Sequence, residues 1–316
     1  MRARRVVKPG LRTTVEDGGR RFAGAWGVPR GGAFDARALA AANLLVGNAP
    51  DVAGLEMTLR APELEALGEL HVAYTGADFG IAVEEDGSRR ALPPGRAARL
   101  PRGARLTGSY AARGARGWLA VAGGVDVPPV LGSRATEAAS RFGGFGGRAL
   151  AAGDVVRIGA PGAAPLAARY RDPVSLDPEP LTLRVLPGPQ LRAMPPGFRG
   201  AFEGATFAVA RDSDRTGVRL APAAGPPLPP GWPREIEPEG APPGAVQLPA
   251  DGAPIVLGVD GPTTGGYAKP AIVIRADLGL VARLAPSMRV VFRFVAREEA
   301  AAADAEAAAR LAELRP

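Results

Sequence analysis

The chain has no cysteine, one histidine (His71), two lysines (Lys8, Lys269), two asparagines (Asn43, Asn48) and two glutamines (Gln190, Gln247). Without cysteine there is no disulfide, no thiolate nucleophile and no Cys-ligated zinc. A single histidine leaves no histidine-rich metal centre, and a metal site is not evident. His71 lies in the apolar run 70–74, where a packed core role is expected over a catalytic one. Aromatics are 5% of residues, and no apolar run approaches the ~20 residues that cross a bilayer, so no membrane partner is expected. The opening MRARRVVKP has charge but no apolar stretch behind it. No secretory signal is expected there, and the cytoplasm is the default compartment.

What is abundant is arginine, which supplies all but two of the 39 basic side chains and sets a net charge of +7. These arginines are scattered singly or in doublets such as Arg20-Arg21, whereas nucleic-acid modules gather charge on one face and interleave aromatics. No nucleic-acid partner is expected. In a chain so biased toward arginine, the lysine in TTGGYAK (263–269) stands out. Lysine is a compact ammonium and arginine an always-charged fork, so the two are not interchangeable in a desolvated site. Lys269 beside Thr263, Thr264, Gly265, Gly266 and Tyr267 suits an anionic or carbonyl-bearing ligand; the alternative is a glycine turn with an exposed lysine.

The 43 glycines and 33 prolines punctuate short β-type runs, among them LHVAY (70–74), WLAVA (118–122), LTLRVL (181–186) and APIVLGV (253–259). Many short strands between Gly/Pro turns predict a mainly β fold with few helices, of sandwich or barrel type. Residues 34–46 read as one helix, with Asp35 at its start and Gly47 as its stop. Residues 298–314 read as a terminal helix. The proline-rich, aperiodic stretch 160–180 marks a boundary, giving an N-terminal lobe (1–165), a C-terminal lobe (180–297) and a helical tail (298–316). LAAGDVVRI (150–158) and LAPSMRVVF (284–292) close the two halves alike, so related β-lobes are expected. A second Pro-rich stretch, 221–243, is too long for an ordinary turn and reads as functional or mobile.

Nine segments occur in order: TVEDGGR (14–20), GVPRGGAFD (27–35), ANLLVGN (42–48), TGAD (75–78), VAGGVDVPPVLGSR (121–134), LPGPQ (186–190), SDR (213–215), GAVQLP (244–249) and TTGGYAK (263–269). Together they resemble the family of 5-oxoprolinase C-type subunits, also called the biotin-dependent carboxyltransferase family. That family includes allophanate hydrolase subunit 2 and is similar to half of the carboxyltransferase domain of urea carboxylase. The resemblance runs from about residue 6 to residue 295. It implies two cyclophilin-like β-barrel lobes and two partner chains, of B-type and A-type. It also implies ATP-dependent hydrolytic opening of the 5-oxoproline lactam to glutamate, with ATP used by the complex. The alternatives are the second subunit of an allophanate hydrolase or a urea-carboxylase-type carboxyltransferase, with biotin carried on another chain, and a regulatory antagonist that binds a histidine-kinase inhibitor. Gly31 and Ala135 stand where serine is usual, and Phe34 and Thr216 where methionine is usual.

The candidate catalytic residues are Asp260, Lys269 and Asp214. Asp260 ends an apolar strand and either acts as a general base, orients Lys269, or hydrogen-bonds its own turn. Candidate substrate-binding residues are Thr263 to Tyr267, Arg215, Gln247 and Asp78. Arg215 offers a fork for a carboxylate or phosphate, or joins a salt-bridge cluster. Asp35 reads as a helix cap, Asn43 and Asn48 as structural. GGFGGR (143–148) lacks the Lys-Ser/Thr ending of a phosphate loop and reads as a mobile loop, not a nucleotide cradle.

Overall fold

Burial alternates along many short segments with the two-residue period of a strand that packs one face; in residues 181–185 it runs buried, exposed, buried, half-buried, buried. The structure, a computed structural model describing residues 2–177 and 179–314, divides into two compact units. Unit 1 comprises Met1–Arg21, Gly31–Pro173 and Arg310–Pro316; unit 2 comprises Phe22–Arg30 and Val174–Ala309. No helix among the described residues is long and apolar enough to cross a membrane.

Unit 1 contains β1 (Ala3–Lys8), β2 (Arg12–Glu16), α1 (Ala36–Leu45), β3 (Gly54–Thr58), β4 (Glu63–Ala66), β5 (Leu70–Gly76), β6 (Ala82–Glu85), β7 (Ser88–Ala91), β8 (Arg96–Leu100), β9 (Arg105–Thr107), β10 (Arg116–Val121) and β11 (Val155–Arg157). These strands form a six-stranded sheet, β11-β1-β4-β9-β6-β7, and a five-stranded sheet, β2-β3-β10-β5-β8. One core joins them: Val6, Leu64, Val83, Leu106 and Val156 from the first sheet meet Val15, Leu55, Val72, Tyr74 and Leu119 from the second. Unit 1 is thus two sheets with a shared core; closure into a ring is seen in unit 2.

Helix α1 forms where expected. Asp35, in extended backbone, accepts from the Ala38 N–H at 3.0 Å and caps it. Gly47 stops it at φ +77°, where a Cβ would lie 2.2 Å from the Ala163 carbonyl oxygen. Alanines on both surfaces (Ala41 and Ala42 on the helix; Ala73, Ala120 and Ala122 on and beside the sheet) let helix and sheet approach closely. The two asparagines fasten its end: Asn43 donates to the Val52 carbonyl and Asn48 to the Val121 carbonyl, each at 2.7 Å. His71, expected in the core, is only half-buried and lies opposite Arg99 in the sheet. Alternation within β5 sends its neighbours Leu70 and Val72 inward and turns His71 to the other face.

Two of the family segments meet at Asp17. Its carboxylate accepts from Ser133 Oγ and the Arg134 N–H, both at 2.6 Å, and from the Gly19 N–H at 2.8 Å. Arg20 donates to the Ala135 carbonyl and lies 4.7 Å from the centroid of the Phe142 ring. The glycine-rich stretch is closed by its own turn, with the Gly147 N–H on the Gly143 carbonyl at 2.7 Å. Arg148 forks onto Asp154 at 2.7 and 2.9 Å. It is a pinned turn and not the loose loop its composition suggests.

One buried group in unit 1 opposes stability. Arg4 is 1% exposed, on the same face of β1 as core residue Val6 and flanked in register by Ala66 and Val156. Its Nε and Nη2 have no hydrogen-bond partner among the described residues. Burial pushes its pKa down to about 9. Replacing an uncompensated buried charge by an apolar side chain of similar length removes the desolvation cost. Arg4→Met is therefore expected to stabilise the chain by about 1–3 kcal/mol, read as a higher urea midpoint at unchanged slope.

Unit 2 contains β12 (Leu181–Pro187), α2 (Phe198–Gly204), β13 (Thr206–Val209), β14 (Gly217–Ala224), β15 (Glu239–Gly240), β16 (Ala245–Leu248), β17 (Ile255–Leu257), β18 (Thr264–Gly265), β19 (Ala268–Val273), α3 (Leu278–Arg283), β20 (Arg289–Phe294) and most of α4 (Arg297–Ala312). Seven strands close a barrel in the order β12-β19-β16-β17-β14-β13-β20, completed by the parallel pair β12–β20; β15 and β18 form a separate two-stranded ribbon. Phe202 of α2 stacks on Phe292 of β20 at 4.5 Å between centroids, with Phe198 and Phe207 beside it. The Arg184 guanidinium binds the Asp277 carboxylate, closest at 2.6 Å, tying β12 to the turn before α3.

Candidate functional site

The site grows from an irregularity between β16 and β19. Val246 opposes Ala271 and Leu248 opposes Ala268, so a single residue, Gln247, faces both Lys269 and Pro270. A bulge of this kind re-aims side chains at the point where pairing slips, and it tolerates Pro270, which has no N–H to give to the ladder. The LPGPQ turn packs directly on it: a Cβ on Gly188 would lie 2.1 Å from the Lys269 carbonyl oxygen.

Lys269 is 1% exposed. Its backbone N–H donates to Gln190 Oε1 at 2.9 Å and its Nζ to the Tyr267 carbonyl at 3.3 Å. Nζ also pairs with Glu239 Oε1 at 3.0 Å. The same oxygen accepts from Gln190 Nε2 at 3.0 Å, so two donors converge on one carboxylate atom. Those contacts, the Gln190 bond first and Lys269 next, hold the Glu239 carboxyl below the usual carboxylate range. The Glu239 side chain itself is 39% exposed.

Glu239 arrives on the ribbon. Glu239 pairs with Gly265 and Gly240 with Thr264. The Ile236 N–H donates to the Gly266 carbonyl and the Ala241 N–H to the Thr263 carbonyl, at 2.8 and 3.0 Å. Before it, residues 225–238 have neither helix nor strand. Beneath it lies Gln247, 5% exposed. Its Nε2 would lie 2.4 Å from a Cβ on Gly265, so any larger residue there would push the Gln247 amide aside.

The other sequence candidates fall as follows. Asp260 is engaged by Arg215, which donates through Nε at 2.7 Å and Nη2 at 2.9 Å. Both are largely buried, the side chains at 13% and 2% exposure. Glu239, not Asp260, is the carboxylate on Lys269, and with both its oxygens held by the fork Asp260 is poorly placed as a base. Asp214 is exposed, and its carboxylate accepts from the Thr216 and Gly217 N–H groups at 2.7 and 3.1 Å, which shapes the turn before β14. Asp78 belongs to unit 1, where it accepts from Tyr74 Oη at 2.9 Å and the Gly80 N–H at 2.8 Å. That contact and burial push the Tyr74 hydroxyl pKa up, burial first. Thr264 and Tyr267 are exposed, and Thr263 is half-buried. A cleft of about 490 Å³ in unit 1, lined by Thr75, Gly76, Gly95 and Arg169 to Asp172, involves none of the candidates. No group of three metal-ligating side chains occurs among the described residues.

Sequence reasoning missed Gln190 and Glu239 as site residues. Their signals were present: Gln190 is one of two glutamines, and Glu239 lies within the Pro-rich segment marked as functional or mobile.

The sequence and the fold both have counterparts in known proteins. The carboxyltransferase domain, subdomain A and B, matches residues 26–294, and the chain belongs to that family. It is 35% identical to the C subunit of 5-oxoprolinase from Escherichia coli (strain K12), over 94% of this chain and 92% of that one. The solved structure of TTHA0988 superposes with a TM-score of 0.80 at 38% identity, covering 93% of this chain and 56% of that chain. The urea amidolyase of K. lactis superposes with a TM-score of 0.88 at 26% identity, covering 99% of this chain and 20% of that one. The chain thus spans about half of the first solved protein and a fifth of the second.

Proposed function

We propose that this chain is the C-type subunit of a 5-oxoprolinase, opening the lactam of 5-oxoproline to glutamate together with partner chains. The observation that carries this reading is 35% identity with the E. coli protein along almost the whole of both chains, 94% of this one and 92% of the other. The site chemistry supports it. Hydrolysis breaks the lactam C–N bond and adds water to the carbonyl carbon, so negative charge develops on the carbonyl oxygen while the substrate's own carboxylate must be held. Lys269, buried beside Gln190 and Gln247, supplies a cation and hydrogen-bonding amides for these tasks.

The glycine-rich turn 143–148 spends its backbone and Arg148 on internal contacts, and it does not fit a nucleotide. In this reading ATP is used at the level of the complex. Unit 2 also offers an aromatic surface for a partner: Phe22 and Trp26 are 91% and 72% exposed. Thr263 lies beside Gly24 of the same segment, its Cγ2 3.9 Å from a Cβ placed there. Exposed aromatics are characteristic of interface centres.

The purified chain alone is expected to produce no glutamate from 5-oxoproline with ATP, and co-expression with its B-type and A-type partners to restore turnover. ATP-dependent glutamate release by the single chain would overturn the shared-site reading. The second reading, a carboxyltransferase part of a urea-carboxylase-like assembly, draws on the superposition with K. lactis urea amidolyase over 99% of this chain. In that case biotin rides on another chain, since neither Lys8 nor Lys269 follows a methionine. Urea-dependent turnover of carboxybiotin by the co-expressed assembly, with no glutamate formed, would favour it.

A further inference from the structure

We infer that Glu239 occupies the carboxylate position of the substrate site, and that a small amido acid binds by displacing it from Lys269 and Gln190 and meeting Gln247 with its amide. The inference rests on the proposed lactam chemistry for the identity of the ligand, but not for the exchange itself.

Three observations lead to it. First, Lys269 Nζ and Gln190 Nε2 both reach Glu239 Oε1 at 3.0 Å. Two donors aimed at one carboxylate oxygen form a cradle for a carboxylate, whichever molecule supplies it. Second, the present occupant is weakly held. Glu239 is 39% exposed, on a ribbon of two residue pairs that follows a segment, 225–238, with no regular structure. The Glu239 side chain can therefore turn to solvent without breaking the backbone bonds from Ile236 to Gly266 and from Ala241 to Thr263 that hold the ribbon. The lysine, by contrast, is rooted at a barrel bulge and 1% exposed. Third, Gln247 is 5% exposed and faces Lys269 across the bulge, with its side-chain amide under Gly265 of the ribbon. An amide there can both donate to and accept from a ligand amide that enters beside Lys269. A carboxylate beside a lactam or open amide matches this set: the acid to Lys269 and Gln190, the amide to Gln247.

The two lysines provide a direct readout. Lys8, with its side chain 67% exposed, is the internal standard for amine acetylation followed by mass spectrometry, and Lys269 is the reporter. In the full-length chain, Glu239→Ala is expected to raise Lys269 acetylation relative to Lys8. Added propionate or 5-oxoproline then suppresses it, at roughly three- to tenfold lower concentration than in wild type, because the internal competitor is gone. Glu239→Gln, which keeps the shape and loses the charge, is expected to lie between, and thermal melts verify that all variants are folded.

In the Glu239→Ala background 5-oxoproline is expected to bind more tightly than propionate, a preference that Gln247→Met abolishes. Unchanged or weaker carboxylate protection in Glu239→Ala would overturn the exchange, since Glu239 would then be part of the site and not a stand-in. Equal gains for propionate and 5-oxoproline would uphold the exchange while overturning the role of Gln247 and counting against the lactam reading.

Discussion

Asp260→Ala is expected to lower the unfolding free energy by about 3 kcal/mol, one of the largest single-residue effects in unit 2. The reason is the asymmetry of a buried ion pair. Arg215 keeps only 2% of its side chain exposed and meets both Asp260 oxygens at 2.7 and 2.9 Å. As a pair the two charges roughly offset their desolvation; with the carboxylate deleted, the guanidinium stays where it is and loses both charge-assisted bonds. The contact also ties the loop before β14 to the end of β17, reinforced by the Asp260 N–H on the Arg215 carbonyl at 3.1 Å. Asp260→Asn preserves shape and is expected to cost less. The double change Arg215→Met with Asp260→Leu is expected to recover most of the loss, because it removes both charges together. Urea unfolding of the full chain measures all three. If Asp260 serves chemistry and not the fold, Asp260→Asn would instead leave the melt unchanged and abolish turnover in the assembled complex.

What could be read in the sequence divides along physical lines. Local features were legible because local energetics decide them: the strand at 181–186 as a short β-type run between turn residues, and α1 from Asp35 and Gly47. Family segments added the fold class. Features that depend on chain separation were not legible. The parallel pair β12–β20 joins Leu181 to Val290, and no local pattern encodes which distant strands pair or whether a sheet closes into a ring. The partners of charged residues fall in the same class. Asp260 seemed poised to orient Lys269 nine residues on, yet Arg215 takes it from 45 positions away. Glu239 reaches Lys269 because a proline-rich segment returns as a ribbon.

Rarity proved informative in a particular sense. Asn43 and Asn48, as scarce as the lysines, fasten α1 through 2.7 Å bonds to backbone carbonyls. A rare residue in a compositionally biased chain therefore marks a position where geometry is constrained, and only its surroundings tell whether the constraint is structural or chemical.

For Lys269 those surroundings carry the final prediction. Both Lys269→Ala and Lys269→Arg are expected to cut kcat/KM of the assembled complex by roughly 30- to 1000-fold, equivalent to about 2–4 kcal/mol. Alanine removes the cation that holds the substrate's carboxylate or developing oxyanion. Arginine keeps the charge but fails on shape: a site 1% exposed, walled by the Gly188 turn and crossed by Gln190, has no room for a longer planar fork. It also moves the charge beyond the point where Glu239 now sits. The fold should tolerate alanine better than arginine. Glu239, 39% exposed, can turn to solvent when its lysine is gone, whereas arginine overpacks the bulge, and overpacking costs about 1–3 kcal/mol. Steady-state kinetics beside thermal melts separate the two effects. The decisive comparison is the alanine variant, with its melt near wild type and its turnover lost. Full turnover in Lys269→Arg would show that any cation suffices there. The scarcity of lysine would then reflect composition alone, and TTGGYAK would be a turn that shapes the barrel without touching the substrate.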